Sequence, residues 1–274
     1  MKLLKPPGRL LPLLLVAFLT ACTQSEPDAG FTSLPVGAEP PSSAPLSQLL
    51  TTVKMPGITT HMIFADDLPA VLIVSVDPNL YRPLLSAAPA NGLTARAAIR
   101  QKQLSLVLGS GFTEHASSLQ PVGLLKVGGQ ELSPLAPLGY TRILGINDEG
   151  LSVVHRASYN PDLFHEALQL GPGIIEDYQL DISAKDLERP RYYRSFAALC
   201  DTHWLVGVTL QPSHLRTLGT ELLAFFNQQD LRCREVINFA GDRQALLAIN
   251  TPDQLIYHGD LNSPKVSFLG FKQQ

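Results

Sequence analysis

The chain has 274 residues, 45% of them hydrophobic, and a formal net charge of -3. That is enough apolar material for a sizeable core, in one large domain or two small ones. There is no Lys/Arg cluster and no interleaving of basic with aromatic residues, so the electrostatic footprint of a nucleic-acid binder is missing and the sequence implies small molecules, glycans or proteins as partners. Twenty-two Pro and 20 Gly predict many turns, as in a sheet-rich protein.

Lys2, Lys5 and Arg9 form a basic head, Leu10 to Leu19 an apolar stretch too short for a stable bilayer span, and small residues follow, the pattern of a secretory signal peptide. The closing Leu19-Thr20-Ala21-Cys22 resembles the lipobox of bacterial lipoproteins, whose members are diacylated on the Cys thiol and cleaved just before it. The resemblance implies a lipoprotein signal peptide at 1–21 and a membrane partner reached through acyl chains such as palmitate on Cys22, each buried methylene contributing about 0.8 kcal/mol. Thr23 follows where an Asp would favour the inner membrane, so in a Gram-negative source the expected location is the outer membrane, facing the periplasm. From Thr23 to about Ala44 the chain is rich in Pro, Ser, Gly and Ala, the composition of a flexible tether. We place the tether at 22–50 and the folded domain at 51–274.

Ser47 to Val53 is either a short helix or the first strand. His61 to Phe64 and the β-branched run Ala70 to Val76 predict two strands, closed by the turn Asp77-Pro78-Asn79. Ala95, Ala98 and Ile99 predict a helix over Leu93 to Gln103, with Thr94 as N-cap. Strands follow at Leu104 to Leu108, Gly123 to Val127, Thr141 to Ile146 and Leu151 to His155, the last two joined across Asn147-Asp148-Glu149-Gly150. The sequence predicts a short helix over Leu163 to Leu170, then a turn at Gly171-Pro172 feeding an apolar strand. Glu188 to Arg194 is a loop, and Ser195 to Leu199 with His203 to Leu210 a hairpin. Ser213 to Gln229 is the clearest helix, its apolar face made by Leu215, Leu218, Leu222, Leu223, Phe225 and Phe226. Strands at Val236 to Asn238, Leu246 to Ile249 and Gln254 to His258 close the chain. The order predicts an α+β fold: a single domain with a mixed, mostly antiparallel sheet and two or three packed helices.

Two readings of Cys200 and Cys233 stay open: a disulfide if their strands are neighbours in an oxidising setting, or two buried free thiols. No Cys/His spacing resembles a zinc site, there is no His-Glu-x-x-His, and Gly109-Ser110-Gly111 is followed by no Lys-Ser/Thr, so neither a metal nor another cofactor is implied.

The strand Val236 to Asn238 runs into Phe239-Ala240-Gly241-Asp242-Arg243, a glycine turn that presents an amide, a carboxylate and a guanidinium. Such a strand end is either an ordinary turn or one wall of a polar site. Together with Gly109-Ser110-Gly111-Phe112, Pro121-Val122-Gly123-Leu124, Val127-Gly128-Gly129-Gln130, Gly171-Pro172-Gly173-Ile174-Ile175 and Arg194-Ser195, taken in that order, it resembles the phosphodiester glycosidase domain family, which includes the enzyme that uncovers mannose 6-phosphate. The resemblance spans roughly residues 55 to 250. It departs at Gly109 and Ser110, which stand for Asn and Gly, and at Ala240, which stands for Asp, with Asp242 and Arg243 for the next two glycines.

The resemblance implies hydrolysis of sugar-phosphodiester linkages of envelope glycans. Arg194 would hold the phosphate through two parallel donors. Asn238 would bond a sugar hydroxyl or the diester, Asp242 would supply a displaced carboxylate, and His115 or Glu114 would act as proton donor. Ser110, Gly111, Gly241 and Arg243 would contact substrate. The alternative is a degenerate member that binds a glycan or an envelope protein, and a third reading is a purely structural tether.

Overall fold

The computed structural model describes residues 53–274 apart from 89, 110, 116, 117 and 138. The expected signal peptide, Cys22 and tether, residues 47–52 and Ser110 therefore lie outside the described residues. In chain order the elements are β1 (Ile58–Ala65), β2 (Leu68–Val76), β3 (Tyr81–Ala87), α1 (Ala95–Lys102), β4 (Leu106–Leu108), β5 (Leu125–Val127), β6 (Gln130–Ser133), β7 (Arg142–Asn147) and β8 (Gly150–His155). They continue with β9 (Glu166–Leu170), β10 (Gly173–Glu176), β11 (Gln179–Leu180), β12 (Ser195–Cys200), β13 (Trp204–Thr209), α2 (Leu215–Gln228), β14 (Cys233–Asn238), β15 (Leu247–Asn250), β16 (Leu255–His258) and β17 (Ser267–Gln273).

The strands form three sheets, ordered β1-β2-β13-β12-β14-β10-β11, β16-β15-β4-β17-β3 and β6-β5-β9-β7-β8. The expected single mixed sheet is thus three sheets, and every strand pairing in them is antiparallel. Alternation along β2 explains why more than one layer is needed. Leu72, Val74 and Val76 face a central core shared with Leu106 and Leu108 of the second sheet and Leu144, Leu168 and Leu170 of the third. Val71 and Ile73 face the other way, where Leu215, Leu218, Leu222, Phe225 and Phe226 of α2 cover them. A strand buried on both sides needs apolar residues at both phases of its period of two. α1 does the same for the second sheet, laying Ala95, Ala98 and Ile99 on Val107, Ala248 and Phe268.

The helix caps follow from named groups. Thr94 Oγ1 accepts from the Ala97 amide at 3.1 Å, as predicted. α2 takes its cap from a distant segment, the Asp186 carboxylate accepting from the Arg216 amide at 2.9 Å. Among the described residues these are the two α-helices.

The predicted helix over Leu163 to Leu170 is instead a 3-10 turn, Pro161–Leu163, leading into β9. β9 lies between β5 and β7 with Ala167, Leu168, Gln169 and Leu170 all buried. An apolar run buried on both faces carries no period that separates strand from helix. Gln169 shows how the sheet is tied: its side chain accepts from the Leu124 and Ala136 amides and donates to the Ala136 and Tyr140 carbonyls. β3, β6, β11 and β17 were not predicted. Cys200 and Cys233 face each other across β12 and β14 and are joined as a disulfide.

Candidate functional site

One end of the first two sheets gathers the ends of β4, β14 and β16 and the starts of β12 and β15. Backbone bonds continue each sheet there, and one side chain joins the two. The Gly109 amide donates to Leu246 O at 2.7 Å, the Phe239 amide to Ser195 O at 2.9 Å, and the Asp242 amide to Tyr193 O at 2.9 Å. Ser195, fully buried, accepts from the Leu246 amide through Oγ at 3.3 Å. The two glycine turns singled out in the sequence therefore meet in space.

Glycine is required at both. A Cβ on Gly109 would sit 2.3 Å from Gln244 O, and one on Gly241 would sit 2.4 Å from Tyr193 O. Both obstacles are backbone, so the space that an Asn side chain would enter at Gly109 is already closed by the 244–246 segment. Ala240 is buried in the central core at 3% exposure and offers no polar group.

Arg194 is held by its own backbone, which exchanges bonds with Thr209: the Arg194 amide donates to Thr209 Oγ1 at 2.8 Å and its carbonyl accepts from the Thr209 amide at 2.9 Å. Its guanidinium carbon lies 4.9 Å from the centre of the Tyr192 ring, a cation–π distance. Its Nε is buried and finds no hydrogen-bond partner among the described residues. Burial pushes the guanidinium pKa down, and Asp186, Asp242 and Tyr192 pull it back up. Asp242 is the reciprocal case: burial raises its carboxyl above the usual range, against the opposing pull of Arg194 and of the Tyr193 backbone amide. Its backbone takes φ 51°, a left-handed conformation that Asp tolerates better than most residues. Arg194, Asp242 and Gly241 are thus together.

Asn238 is close in the fold but otherwise engaged. It pairs with Phe196 across β12 and is 2% exposed. Its Nδ2 donates to Gly171 O at 3.1 Å, clamping the Gly171-Pro172 turn, while its Oδ1 is buried without a partner among the described residues. Arg243 has an exposed side chain, and its carbonyl accepts from Lys265 Nζ at 2.7 Å. Gly111 is buried, its amide donating to Ser267 Oγ at 3.4 Å. His115 is exposed in the loop after β4, where its carbonyl accepts from Thr113 Oγ1 and the Ser118 amide; Glu114 is also exposed.

Sequence reasoning passed over two buried ionisable groups here. Lys265, 1% exposed, bonds Arg243 O and, at 3.3 Å, Gln244 Oε1, so it anchors the 243–244 turn from below. Burial lowers its pKa to about 8 against the pull of Asp260. His258, 3% exposed, has Nε2 without a partner among the described residues, and its ring centre is 6.2 Å from that of Tyr193. Burial lowers its pKa to about 4. The available signal was a lone charge or imidazole next to an apolar run, which alone does not separate a buried anchor from a surface residue.

The molecule is therefore an α+β protein of three antiparallel sheets whose strand-end turns carry a half-buried Arg194 and a half-buried Asp242. No family model matches the chain, and no curated protein matches it. Solved structures do. The catalytic domain of zebrafish N-acetylglucosamine-1-phosphodiester alpha-N-acetylglucosaminidase, auto-inhibited by its pro-peptide, superposes with a TM-score of 0.59 at 11% identity, over 81% of this chain and 86% of that one. A hypothetical protein from Synechocystis superposes with a TM-score of 0.51 at 12% identity, over 81% and 64% of the two chains. At such identities the likeness is one of fold.

Proposed function

We propose that the domain is a phosphodiester glycosidase-like hydrolase acting on a sugar-phosphodiester linkage of envelope glycans, held at a bacterial envelope by lipid on Cys22, at the outer membrane facing the periplasm if the source is Gram-negative. The observation that carries the reading is that Arg194 lies beside the Gly241–Asp242 turn where the two glycine turns meet, in a chain whose fold is shared with a phosphodiester glycosidase. Arg194, half-buried as a residue, supplies the positive charge that holds the phosphate. Asp242 is the proton donor of the cluster, burial shifting its carboxyl toward the protonated form against the pull of Arg194. That proton goes to the oxygen between the anomeric carbon and phosphorus as the carbon–oxygen bond breaks. Water adds at the carbon and loses a proton to solvent, and the sugar and the phosphate monoester leave.

The test is turnover of a panel of sugar-1-phosphodiesters by the folded protein. Arg194→Ala should lower kcat/KM about a hundredfold, the scale of losing one charged stabiliser, and Asn238→Ala should lower it by freeing the Gly171 turn. No turnover on any substrate sinks the enzyme reading. A second reading, a non-catalytic lipoprotein that binds a glycan or envelope protein, is favoured by Ala240 lying in the core and by the closed space at Gly109. Binding of a glycan without hydrolysis would support it.

A further inference from the structure

A separate cleft of about 450 Å³ opens at the other end of the third sheet. β7 begins at Arg142, which pairs with Leu170 beside the Gly171 turn, and ends at Asn147 in the cleft. β9 runs the opposite way, from Glu166 in the cleft to Leu170. The cleft is therefore distinct from the Arg194–Asp242 cluster, and it lies where all three sheets meet. Its volume falls in the range of small-molecule sites, about 300–1,000 Å³.

We propose that this cleft binds a small organic ammonium ion. Its walls carry three carboxylates, Asp148, Glu149 and Glu166, against the Arg82 guanidinium and the His165 imidazole. An anionic ligand would be repelled and a cation drawn in. Two of the carboxylates are partly engaged: Asp148 lies 3.3 Å from His165 Nε2, and Glu166 accepts from the Leu85 amide at the free edge of β3. Glu149 is exposed, and its carboxylate takes no hydrogen bond from any described residue. It is the acceptor for an incoming N–H or the counter-charge for a quaternary nitrogen.

The wall also carries an aromatic ring. Trp204, 8% exposed, reaches the cleft from β13. It does so because Gly150 has no side chain: a Cβ there would stand 2.5 Å from the indole Cζ2. An indole beside carboxylates is the chemistry that favours alkylammonium groups over hydrated inorganic cations, since the ring rewards a soft, weakly hydrated charge.

The chain has a single tryptophan, so its fluorescence reports on this cleft alone. The full chain is titrated with choline chloride at about pH 7 and constant ionic strength, beside 3,3-dimethyl-1-butanol, the neutral carbon isostere of choline, and sodium chloride. Choline should give a saturable change in emission. The isostere should bind about three- to tenfold more weakly or not at all, and Glu149→Gln should weaken choline by a similar factor, as expected for one partly screened charge contact. Circular dichroism of the variant confirms that it is folded. An equal response to choline and its isostere, a change reproduced by sodium chloride, an unchanged affinity in folded Glu149→Gln, or no saturable change would each overturn the proposal. The readout involves neither Arg194 nor turnover, so its failure and failure of the glycosidase reading are separate events.

Discussion

His258 makes the folded chain acid-sensitive in a way that one substitution isolates. The imidazole is 3% exposed, with an unpartnered Nε2 and a pKa lowered by burial from 6.5 to about 4. Between those two values the unfolded chain binds a proton that the folded chain refuses, so stability rises with pH across that window and falls as pH drops through it. The gap is about 2.5 decades in proton affinity, and at ~1.4 kcal/mol per decade full protonation removes about 3–4 kcal/mol, of which about 3 is lost by pH 4. His258→Gln removes the titration while keeping a polar side chain of similar length. Urea unfolding of both proteins from pH 7.5 down to 4 cancels the titration of all other groups in the difference. The variant should start less stable at pH 7.5, because it disturbs a packed position, and the gap should close by about 3 kcal/mol at the acid end. Parallel stability curves would show that His258 is solvated or bonded in the folded state, and the reasoning would fail.

Two other perturbations test the geometry around the site and the sheet beside it. Gly109→Ala places a Cβ against Gln244 O and Leu246 N, at 2.3 and 3.0 Å. Since both are backbone atoms, it should cost about 2–3 kcal/mol, seen as a fall in Tm of about 5–10 °C; a change within about 0.5 kcal/mol would mean that the 244–246 segment yields freely. Replacing Cys200 and Cys233 together by Ser opens a loop closed over a sequence separation of 33. By loop-closure entropy it should lower stability by about 3–4 kcal/mol, and unchanged denaturation midpoints with and without reductant would contradict a bond that contributes to the fold.

How much could be foreseen is clearest from particular elements. β1, β2, the β7–β8 and β12–β13 hairpins, α1 and α2 carry their own signals: β-branched runs, a turn sequence, a capping Thr and a repeating apolar face. β9 carried none, because burial on both faces erases the period. β3 has Pro83 within it, which argues against a strand; it survives because it is an edge, its one partner being β17. At the candidate site, the glycine turns were legible as motifs, and their meeting through Gly109 and Gln244 was not. Asn238 was expected to face a substrate, and its amide clamps the Gly171 turn instead. Nothing in the sequence marked Lys265 or His258 as buried groups of the site.

Composition and pattern by themselves determined that this chain builds a sheet-rich, mostly antiparallel α+β fold with few helices, because apolar spacing and turn chemistry are local properties. Only the tertiary structure decided that the core is shared by three sheets, that Cys200 meets Cys233, and that Arg194 lies near Asp242 while Lys265 is buried against the 243–244 turn and His258 near Tyr193. Those facts depend on which strand ends come together across tens to more than a hundred residues of chain, and burial, which shifts the ionisation of Arg194, Asp242, His258 and Lys265, exists only once they have.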